Sequence, residues 1–570
     1  MVQILLPLLL GILGLGIEAT FISPPDDLKM VMGHAGVPVR YKEVEAGICE
    51  LDPNVKSFSG YADVAEDQHI FWWFFEARQE NPEKGTPEQY GSMAVQVSHT
   101  CSSSMMGLFQ ELGPCGVDPY GEVYSNPYSW SNVSNMLFID QPTQTGLSYT
   151  KPVPGYKQGG DVIELPDNIC PDYVADPSSC GTYSHPNMTL TANSTEGAAH
   201  NFWLTLQGFI GAFPQYTKNG FNLATESYGG HYGPVFSAYI ERRNDRLTPN
   251  TVNIPLNTLL VGNGWFDPII GYQAFYNFTV SPGNTYDYAP FTDDTAAELY
   301  ESLYGAGNCL DQLRDCQTSG LDHVCARADD FCSNHVEYPF GDLLGRSDYD
   351  IRHLTPDPFP YTFYEDYLNT PRVQRALGAA TNFTKSNRVV ARAFHGTGDD
   401  ARELNIADDL RFLLSRNVTV ALYAGDADYD CNWLGVEAFA EQLLQAPSAS
   451  GEGFAGAGYT DLLTSDNITH GQTKQAGRFS FSRVYESGHM VPFYQPVAAL
   501  ELFGRAIGGR DVATGRQAAG PLYKTNGTAR STYWNGDATV QWDVVAANRT
   551  YDVKMNGPGA FWDDLVKTKR

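Results

Sequence analysis

Basic residues are scarce in this sequence. It contains 37 lysines and arginines against 66 aspartates and glutamates in 570 residues, which gives a formal net charge of -29 and an isoelectric point near 4.7. Proteins that bind nucleic acid present basic surfaces to the phosphates, so this balance argues against a nucleic-acid partner. It suits a protein that stays soluble in an acidic medium, where many carboxylates are partly neutralised.

Long apolar runs and cofactor motifs are also lacking. After the N-terminus, no stretch reaches the roughly 18 consecutive apolar residues of a membrane-spanning helix. The sequence has neither a Walker-type glycine loop nor a cluster of His and Cys at zinc spacing. We therefore expect no stable membrane anchor, no metal and no nucleotide or other cofactor.

The N-terminus has the pattern of a secretory signal peptide. Residues 1–16 are apolar without a charged side chain and are followed by Ile17-Glu18-Ala19, which predicts a signal peptide over residues 1–19. Nine N-x-S/T sequons agree with export; they begin at Asn132, Asn187, Asn193, Asn277, Asn382, Asn417, Asn467, Asn526 and Asn548. We predict a secreted glycoprotein, with the vacuole as the alternative destination.

Ser227 lies in the context of a nucleophile elbow. A strand-like run (residues 221–224) precedes it and a helix-like run (residues 235–240) follows. Gly229 and Gly230 would let the helix pack closely because they carry no Cβ. The usual pattern has glycine two residues before the serine, where this chain has Thr225. Ser227 is therefore a candidate nucleophile, and a plain glycine-rich turn is the alternative.

A base and an orienting acid follow Ser227 in the chain order of α/β hydrolases. Asp428 comes just after the strand-like run 418–423, and His489 just after the run 479–485. Sites in open α/β sheets lie at such strand ends. Although either side chain alone is also typical of a loop, their order and placement predict a Ser-His-Asp triad.

The residues around the triad resemble the serine carboxypeptidases, within them the secreted fungal type, over about residues 30–505. The resemblance rests on Glu226-Ser227-Tyr228-Gly229-Gly230-His231-Tyr232, on Gly425-Asp426 through Asp428 with 431–435, and on Gly488-His489-Met490-Val491-Pro492, with further matches at 59–61, 74–78, 107–114, 140–146 and 262–265. It implies an α/β-hydrolase fold, with a mixed, mostly parallel sheet, helices on both faces and an inserted cap region. It also implies that Asp428, rather than Asp426 or Asp430, is the acid of the triad.

The resemblance further implies the reaction and the substrate. A serine-type carboxypeptidase removes C-terminal amino acids from peptides and proteins with a free C-terminus, through an acyl-enzyme. In this reading Glu226 and Glu111 face each other and bind the terminal carboxylate while protonated, because two close carboxyl groups cannot both ionise cheaply. Activity is then favoured at acidic pH. The alternative is that both are ordinary surface or capping acids.

Three further residues are expected at the site. The backbone N–H of Tyr228 is the expected oxyanion donor. The resemblance implies that Cys431 and Met490 line the pockets on either side of the scissile bond, whereas the alternative makes them simply buried apolar groups.

The remaining cysteines suggest disulfides. The symmetrical spacing of Cys309, Cys316, Cys325 and Cys332 suits nested bridges 309–332 and 316–325, as the resemblance also implies, although four cysteines allow three patterns. Cys49–Cys115 and Cys170–Cys180 are local pairings, which leaves Cys431 free and Cys101 unpaired.

The chain departs from the family pattern before Gly107. The family has an Asn-Gly-Gly-Pro-Gly turn there, which supplies a second oxyanion N–H, but this chain aligns Val97 to Thr100 with its first four residues. The apolar strand expected before the turn is also replaced by polar residues. Either the chain is an altered member that has lost about 10²–10³ in kcat, or residues 85–101 come from a misread gene segment, which we favour.

The domain boundaries complete the prediction. A catalytic domain spans residues 20–510, with an insertion at about 270–375 over the active site. A tail of unknown role follows at 511–570, with a small hairpin from 533–537 and 540–545. Two other functions stay open: a catalytically impaired secreted binding protein, and an esterase or acyltransferase on the same fold.

Overall fold

The protein is described from a computed structural model, which covers residues 21–78, 93–97, 102–280, 284–444 and 453–568. The predicted signal peptide, residues 98–101 and the remainder of the chain lie outside the described residues. The strands are β1 Lys29–Met32, β2 Pro38–Val44, β3 Ser57–Ala65, β4 Gln68–Phe75, β5 Met93–Val97, β6 Cys115–Val117, β7 Val123–Ser125, β8 Asn135–Ile139, β9 Pro152–Gln158, β10 Asp161–Glu164, β11 Cys180–Ser184, β12 Phe221–Glu226, β13 Leu256–Gly262, β14 Arg346–Ser347, β15 Asp350–Leu354, β16 Thr419–Gly425, β17 Thr460–Leu463, β18 Thr469–Ala476, β19 Phe479–Val484, β20 Arg549–Asp552 and β21 Gly557–Phe561.

Helices connect most of the central strands. The α-helices are α1 Thr195–Ala212, α2 Gly229–Asn244, α3 Pro268–Thr279, α4 Asp293–Tyr304, α5 Cys309–Ser319, α6 Asp322–Cys332, α7 Pro339–Leu344, α8 Tyr364–Leu368, α9 Pro371–Leu377, α10 Arg388–His395, α11 Ile406–Ser415, α12 Trp433–Leu443, α13 Val491–Tyr494, α14 Pro496–Ile507 and α15 Trp562–Thr568. Two π-helical segments, Gly107–Leu112 and Ser333–Glu337, also carry residues of the site.

One mixed sheet organises the described residues. Its strands lie in the order β1-β2-β3-β4-β8-β5-β12-β13-β16-β19-β18-β17. The central strands from β8 to β19 are parallel, and the two ends are antiparallel. Strands β12 and β16 are buried on both faces, which is why they appear as nearly continuous apolar runs in the sequence. The α/β-hydrolase fold predicted from the resemblance is confirmed.

Apolar layers cover both faces of this sheet. Because side chains alternate along a strand, Leu223 packs into one layer with helices α1, α2, α11 and α12, whereas its neighbour Ala224 packs into the other with α14. The carboxyl ends of the parallel strands are thereby fixed at one edge, where the loops that follow β12, β13, β16 and β19 meet.

A helical region lies between β13 and β16. It contains α3 to α7 and the two-stranded β14–β15 pair, and bridges Cys309–Cys332 and Cys316–Cys325 join α5 to α6. The predicted pairs Cys49–Cys115 and Cys170–Cys180 are also present. Cys431 is free and buried, as expected, whereas Cys101 lies outside the described residues.

Two predictions about secondary structure were wrong. The strand thought to be lost before Gly107 is present: β5 pairs in parallel with β8 on one side and β12 on the other. The tail hairpin forms from β20 and β21 rather than from residues 533–545, which are irregular. Of the helices in the described ranges, none has the length and apolarity needed to cross a bilayer.

Candidate active site

Ser227 occupies a tight turn between β12 and α2. Its φ of 61° lies in the left-handed region, where a non-glycine residue is strained and needs support from its surroundings. Its N–H donates to the Gly262 carbonyl at 3.1 Å, and its own carbonyl accepts from the N–H groups of Gly230 and Trp265 at 2.8 and 2.9 Å. The turn is therefore held from the next strand and from its own helix.

Two glycines make room for this turn. A Cβ on Gly230 would lie 2.3 Å from the carbonyl oxygen of Trp265, and one on Gly229 would lie 2.5 Å from the Cβ of Thr225. Thr225 is buried and its hydroxyl donates to the Gly229 carbonyl at 2.9 Å. Thr225, which stands where the usual pattern has glycine, thus packs against the start of α2 and is accommodated there.

Asp428 and His489 form a buried pair. The ring nitrogen Nδ1 of His489 lies 2.8 Å from Oδ2 of Asp428, which places the proton of that bond on the imidazole facing the carboxylate. The same oxygen accepts from the amide group of Asn263 at 2.7 Å and from the N–H of Cys431 at 3.1 Å. Asp426 instead accepts from the hydroxyl of Tyr286, so Asp428 is the acid that contacts the histidine.

Nearby carboxylates favour the protonated, positively charged form of His489. Burial by itself lowers the pKa of the imidazole, but the charge and hydrogen bond of Asp428, with the charges of Asp430 and Glu111, outweigh this effect. The pKa of His489 is therefore raised above its ordinary value. Such a histidine can accept a proton and hold it.

Glu111 and Glu226 share a hydrogen bond in the interior. Glu226 ends β12 and Glu111 lies in the π-helical segment after Met106; both are buried. Burial raises the pKa of both carboxyl groups, and the charge of Glu111 raises that of Glu226 further. The hydrogen bond raises the pKa of Glu226 and lowers that of Glu111, so the two groups titrate as a pair that holds one proton to higher pH than an isolated carboxyl group.

A cavity of about 700 Å³ brings the remaining candidates together. Its lining includes Ser227 and His489, as well as Tyr228, Cys431 and Met490. Residues 337–362 of the region between β13 and β16 supply one of its walls. The structure thus places the predicted nucleophile, base and pocket residues around one space at the carboxyl edge of the sheet.

Residues 48–509 match the family described as serine carboxypeptidase. Carboxypeptidase S1 homolog B of Arthroderma otae is 34% identical over 559 residues, covering 90% of this chain and 83% of that protein. Carboxypeptidase S1 of Penicillium janthinellum is 34% identical over 466 residues, covering 81% of this chain and 97% of that protein. The chain belongs to the serine carboxypeptidase family.

A solved structure supports the same fold. The crystal structure of Kex1(delta)p, a prohormone-processing carboxypeptidase from Saccharomyces cerevisiae, matches with a TM-score of 0.62 and 20% identity. The match covers 81% of this chain and 95% of that one.

One site residue of this serine carboxypeptidase was missed by the sequence prediction. Asn263 follows β13 with a φ of 39°, donates to Asp428 and accepts from the Gly425 N–H at 3.1 Å. It therefore ties the ends of β13 and β16 to the acid. Residues 262–265 were part of the resemblance, but nothing in the local pattern gave this amide its partner.

Three acids of the cavity wall were also missed. Glu337, Asp400 and Asp430 line the same space as Ser227, with Lys385 as a basic residue in that lining. Burial raises the pKa of each of the three carboxyl groups, and the charges of neighbouring acids raise it further. They come from three separate segments, which only the fold brings together.

Among the residues that the structure describes, one set of possible metal ligands lies in this region. The donor atoms of Asp430, Cys431 and His489 lie within 4.8 Å of one another. Burial and the surrounding acids raise the pKa of the Cys431 thiol well above its ordinary value. His489 faces Asp428 through Nδ1, and all three side chains line the cavity that contains Ser227, so they belong to the site already described.

Proposed function

We propose that this serine carboxypeptidase removes C-terminal residues from peptides and proteins through an acyl-enzyme on Ser227. The observation that carries the proposal is the 2.8 Å bond between Asp428 and His489 beside a cavity that also contains Ser227. His489 takes the proton of the Ser227 hydroxyl as its oxygen attacks the last peptide carbonyl, and returns it to the leaving amino acid. Water then attacks the ester, and the serine is released.

Transition-state charge is stabilised at the start of α2 in this proposal. The backbone N–H of Tyr228 follows the nucleophile and belongs to the turn that opens the helix, where N–H groups are not used within the helix. A second donor would come from residues 98–100, which follow β5. Those residues lie outside the described part of the chain.

The Glu111–Glu226 pair is proposed to recognise the terminal carboxylate of the substrate. A protonated carboxyl group donates a hydrogen bond to an anion, whereas an ionised pair would repel it. The raised pKa of both groups supports a protonated pair at mildly acidic pH. Acid-favoured cleavage of free C-termini follows from the same two side chains.

Export is part of the proposal. The described residues contain four disulfides, which form and persist in oxidising compartments such as the extracellular space. We therefore propose secretion, with the vacuole as the alternative.

Replacement of the nucleophile tests the catalytic proposal. Ser227→Ala is expected to lower kcat by about 10⁶, as in a dissected serine protease, because the attacking oxygen is removed. The purified wild type and variant are compared on a peptide with a free C-terminus and on its C-terminally amidated form. Release from the amidated peptide alone would contradict exopeptidase action. Residual turnover of the variant near that of the wild type would refute Ser227 as the nucleophile.

The impaired binding protein is the second candidate. Val97 and the three residues after it, which differ from the family turn, are the observation that favours it. A fluorophosphonate probe distinguishes the two, since a working triad is expected to give a covalent adduct on Ser227. Absence of that adduct in the wild type would support the binding protein.

A further inference from the structure

The C-terminal segment (residues 511–568) contacts the loop that carries His489. The family match ends at residue 509, so this segment lies beyond the region that matches the family. We propose that it positions the catalytic histidine, with Asn535 and Thr539 holding Glu486 three residues before His489. The inference rests on the proposed carboxypeptidase function.

Side chains of the C-terminal segment surround the carboxylate of Glu486. Asn535 donates its amide N–H to Oε1, and the hydroxyl of Thr539 donates to Oε2 at 2.8 Å. Tyr533 and Asn556 each donate to the same carboxylate at 3.3 Å. These four donors all belong to the C-terminal segment, so the carboxylate is one point at which the segment contacts the loop.

The backbone of Glu486 needs such support. Its φ of 52° lies in the left-handed region, which is costly for a residue with a Cβ. From the body of the protein, Arg352 donates to its side chain at 3.1 Å. Just beyond it, the His489 N–H donates to the Tyr349 carbonyl at 2.8 Å, and a Cβ on Gly488 would lie 2.4 Å from that carbonyl oxygen. Because this turn has little free space, a displacement of Glu486 would also displace His489.

The same segment packs behind the wall of the cavity. Tyr551 of β20 makes edge-to-face contacts with Phe359 and Tyr494 at 5.1 and 5.4 Å between ring centroids. Both of those rings line the cavity that contains Ser227 and His489. The segment thus contacts the site through the histidine loop and through the wall.

Removal of one hydroxyl tests the positioning. Thr539→Val keeps the shape of the side chain but loses the donor to Glu486, and Asn535→Ala is added in a double variant. We expect kcat on a free-ended peptide to fall about tenfold to a hundredfold, since small displacements of catalytic groups have such effects. KM should change less than about twofold, because the carboxylate is bound at Glu111 and Glu226.

Matched variants keep the test specific. Thr539→Ser retains the hydroxyl and should behave as wild type. Thr514→Ala removes a hydroxyl of the same segment that donates to Asp511 at 2.9 Å and does not reach Glu486, so it should leave kcat unchanged.

Activity is expressed per folded molecule, from near-ultraviolet circular dichroism, together with the melting temperature. A lower melting temperature with unchanged kcat in Thr539→Val would overturn the inference, since it would show a purely structural role. If the double variant does not fold, the single variant decides. A wild type that does not cleave the free-ended peptide would overturn the proposed function and this inference with it, whereas an active wild type and an equally active Thr539→Val overturn the inference alone.

Discussion

Glu226 lies one residue before Ser227, the proposed nucleophile, and forms a hydrogen bond with Glu111. Burial is the first cause of the raised pKa of both groups; contact with Glu111 raises the pKa of Glu226 further, whereas the hydrogen bond to Glu226 lowers that of Glu111. As the pH rises through these raised values the pair loses its proton and becomes a repulsive neighbour of the substrate carboxylate. In the proposed function, the pH dependence of cleavage at free C-termini is therefore set by these two acids as well as by the triad.

Glu226→Gln tests this dependence, because an amide donates hydrogen bonds at every pH. In the wild type, KM for a free-ended peptide is expected to rise between about pH 5 and about pH 8. In the variant that rise should be several-fold smaller. An uncharged ester substrate serves as the control and should show little difference between the two enzymes. Equal pH dependence of KM on both substrates in the wild type would contradict carboxylate recognition by this pair.

Some residues of the site could be predicted from the sequence, whereas the contacts of others could not. The order Ser227, Asp428, His489 and their strand-end positions could be read from local patterns. The partners of Asn263 and the three cavity acids could not, because these contacts join different segments of the chain: Asn263 and Asp428 are 165 residues apart, and Asp400 and Asp430 lie on opposite sides of β16 in the sequence. Local pattern gives the type of a side chain, and only the fold gives its neighbours.

At the scale of elements, the close approach of α2 to the sheet makes the elbow sensitive to volume. Gly230→Ala is expected to destabilise the protein by about 1–3 kcal/mol or more, because the new methyl group would overlap the backbone of Trp265. The fall in kcat should be larger than the loss of folded protein explains, because Ser227 lies in the same turn. Urea unfolding and kcat on a free-ended peptide measure the two effects.

Gly504→Ala is the matched control for that prediction. Gly504 lies inside α14, where the added methyl group would meet only Val133 at 4.0 Å. The substitution should leave activity unchanged and stabilise the helix by up to about 1 kcal/mol. If Gly230→Ala behaved like Gly504→Ala, tight packing at the elbow would not be a requirement of the fold.

The elements themselves were predicted unevenly, for physical reasons. β12, β13, β16 and β19 are buried on both faces and so have apolar runs that can be recognised locally. β5 was missed because its strand state depends on pairing with β8 and β12 on both sides, a non-local effect. In the tail, Asn535 lies in one predicted hairpin strand and Thr539 lies between the two, and both side chains donate hydrogen bonds to Glu486 instead.

At the scale of the whole molecule, buried carboxyl groups with raised pKa values make the folding stability depend on pH. Besides Glu111 and Glu226, burial raises the pKa of further acids, to about 6 in several cases: Asp140, Asp348, Asp409 and Asp426. A carboxyl group with a raised pKa in the folded state contributes stability that is present below its unfolded pKa and is lost as the pH rises through the folded value. Asp63 and Asp350 have lowered pKa values, so both stay ionised between about pH 5 and about pH 8 and their contribution to folding stability does not change there.

The melting temperature should therefore fall as the pH rises from about 5 to about 8. Repulsion among surface charges acts in the same direction, but about 1 M salt screens it and leaves the part that comes from buried groups.

Asp400→Asn removes a carboxyl group whose pKa is raised by burial and by nearby acids, so it should raise the melting temperature at about pH 8 and have little effect near pH 5. Asp315→Asn makes the same charge change at an exposed position and should not alter the pH dependence in high salt. A melting temperature in high salt that stays constant over this range, or rises with pH, would show that the buried acids do not keep their protons in the folded protein.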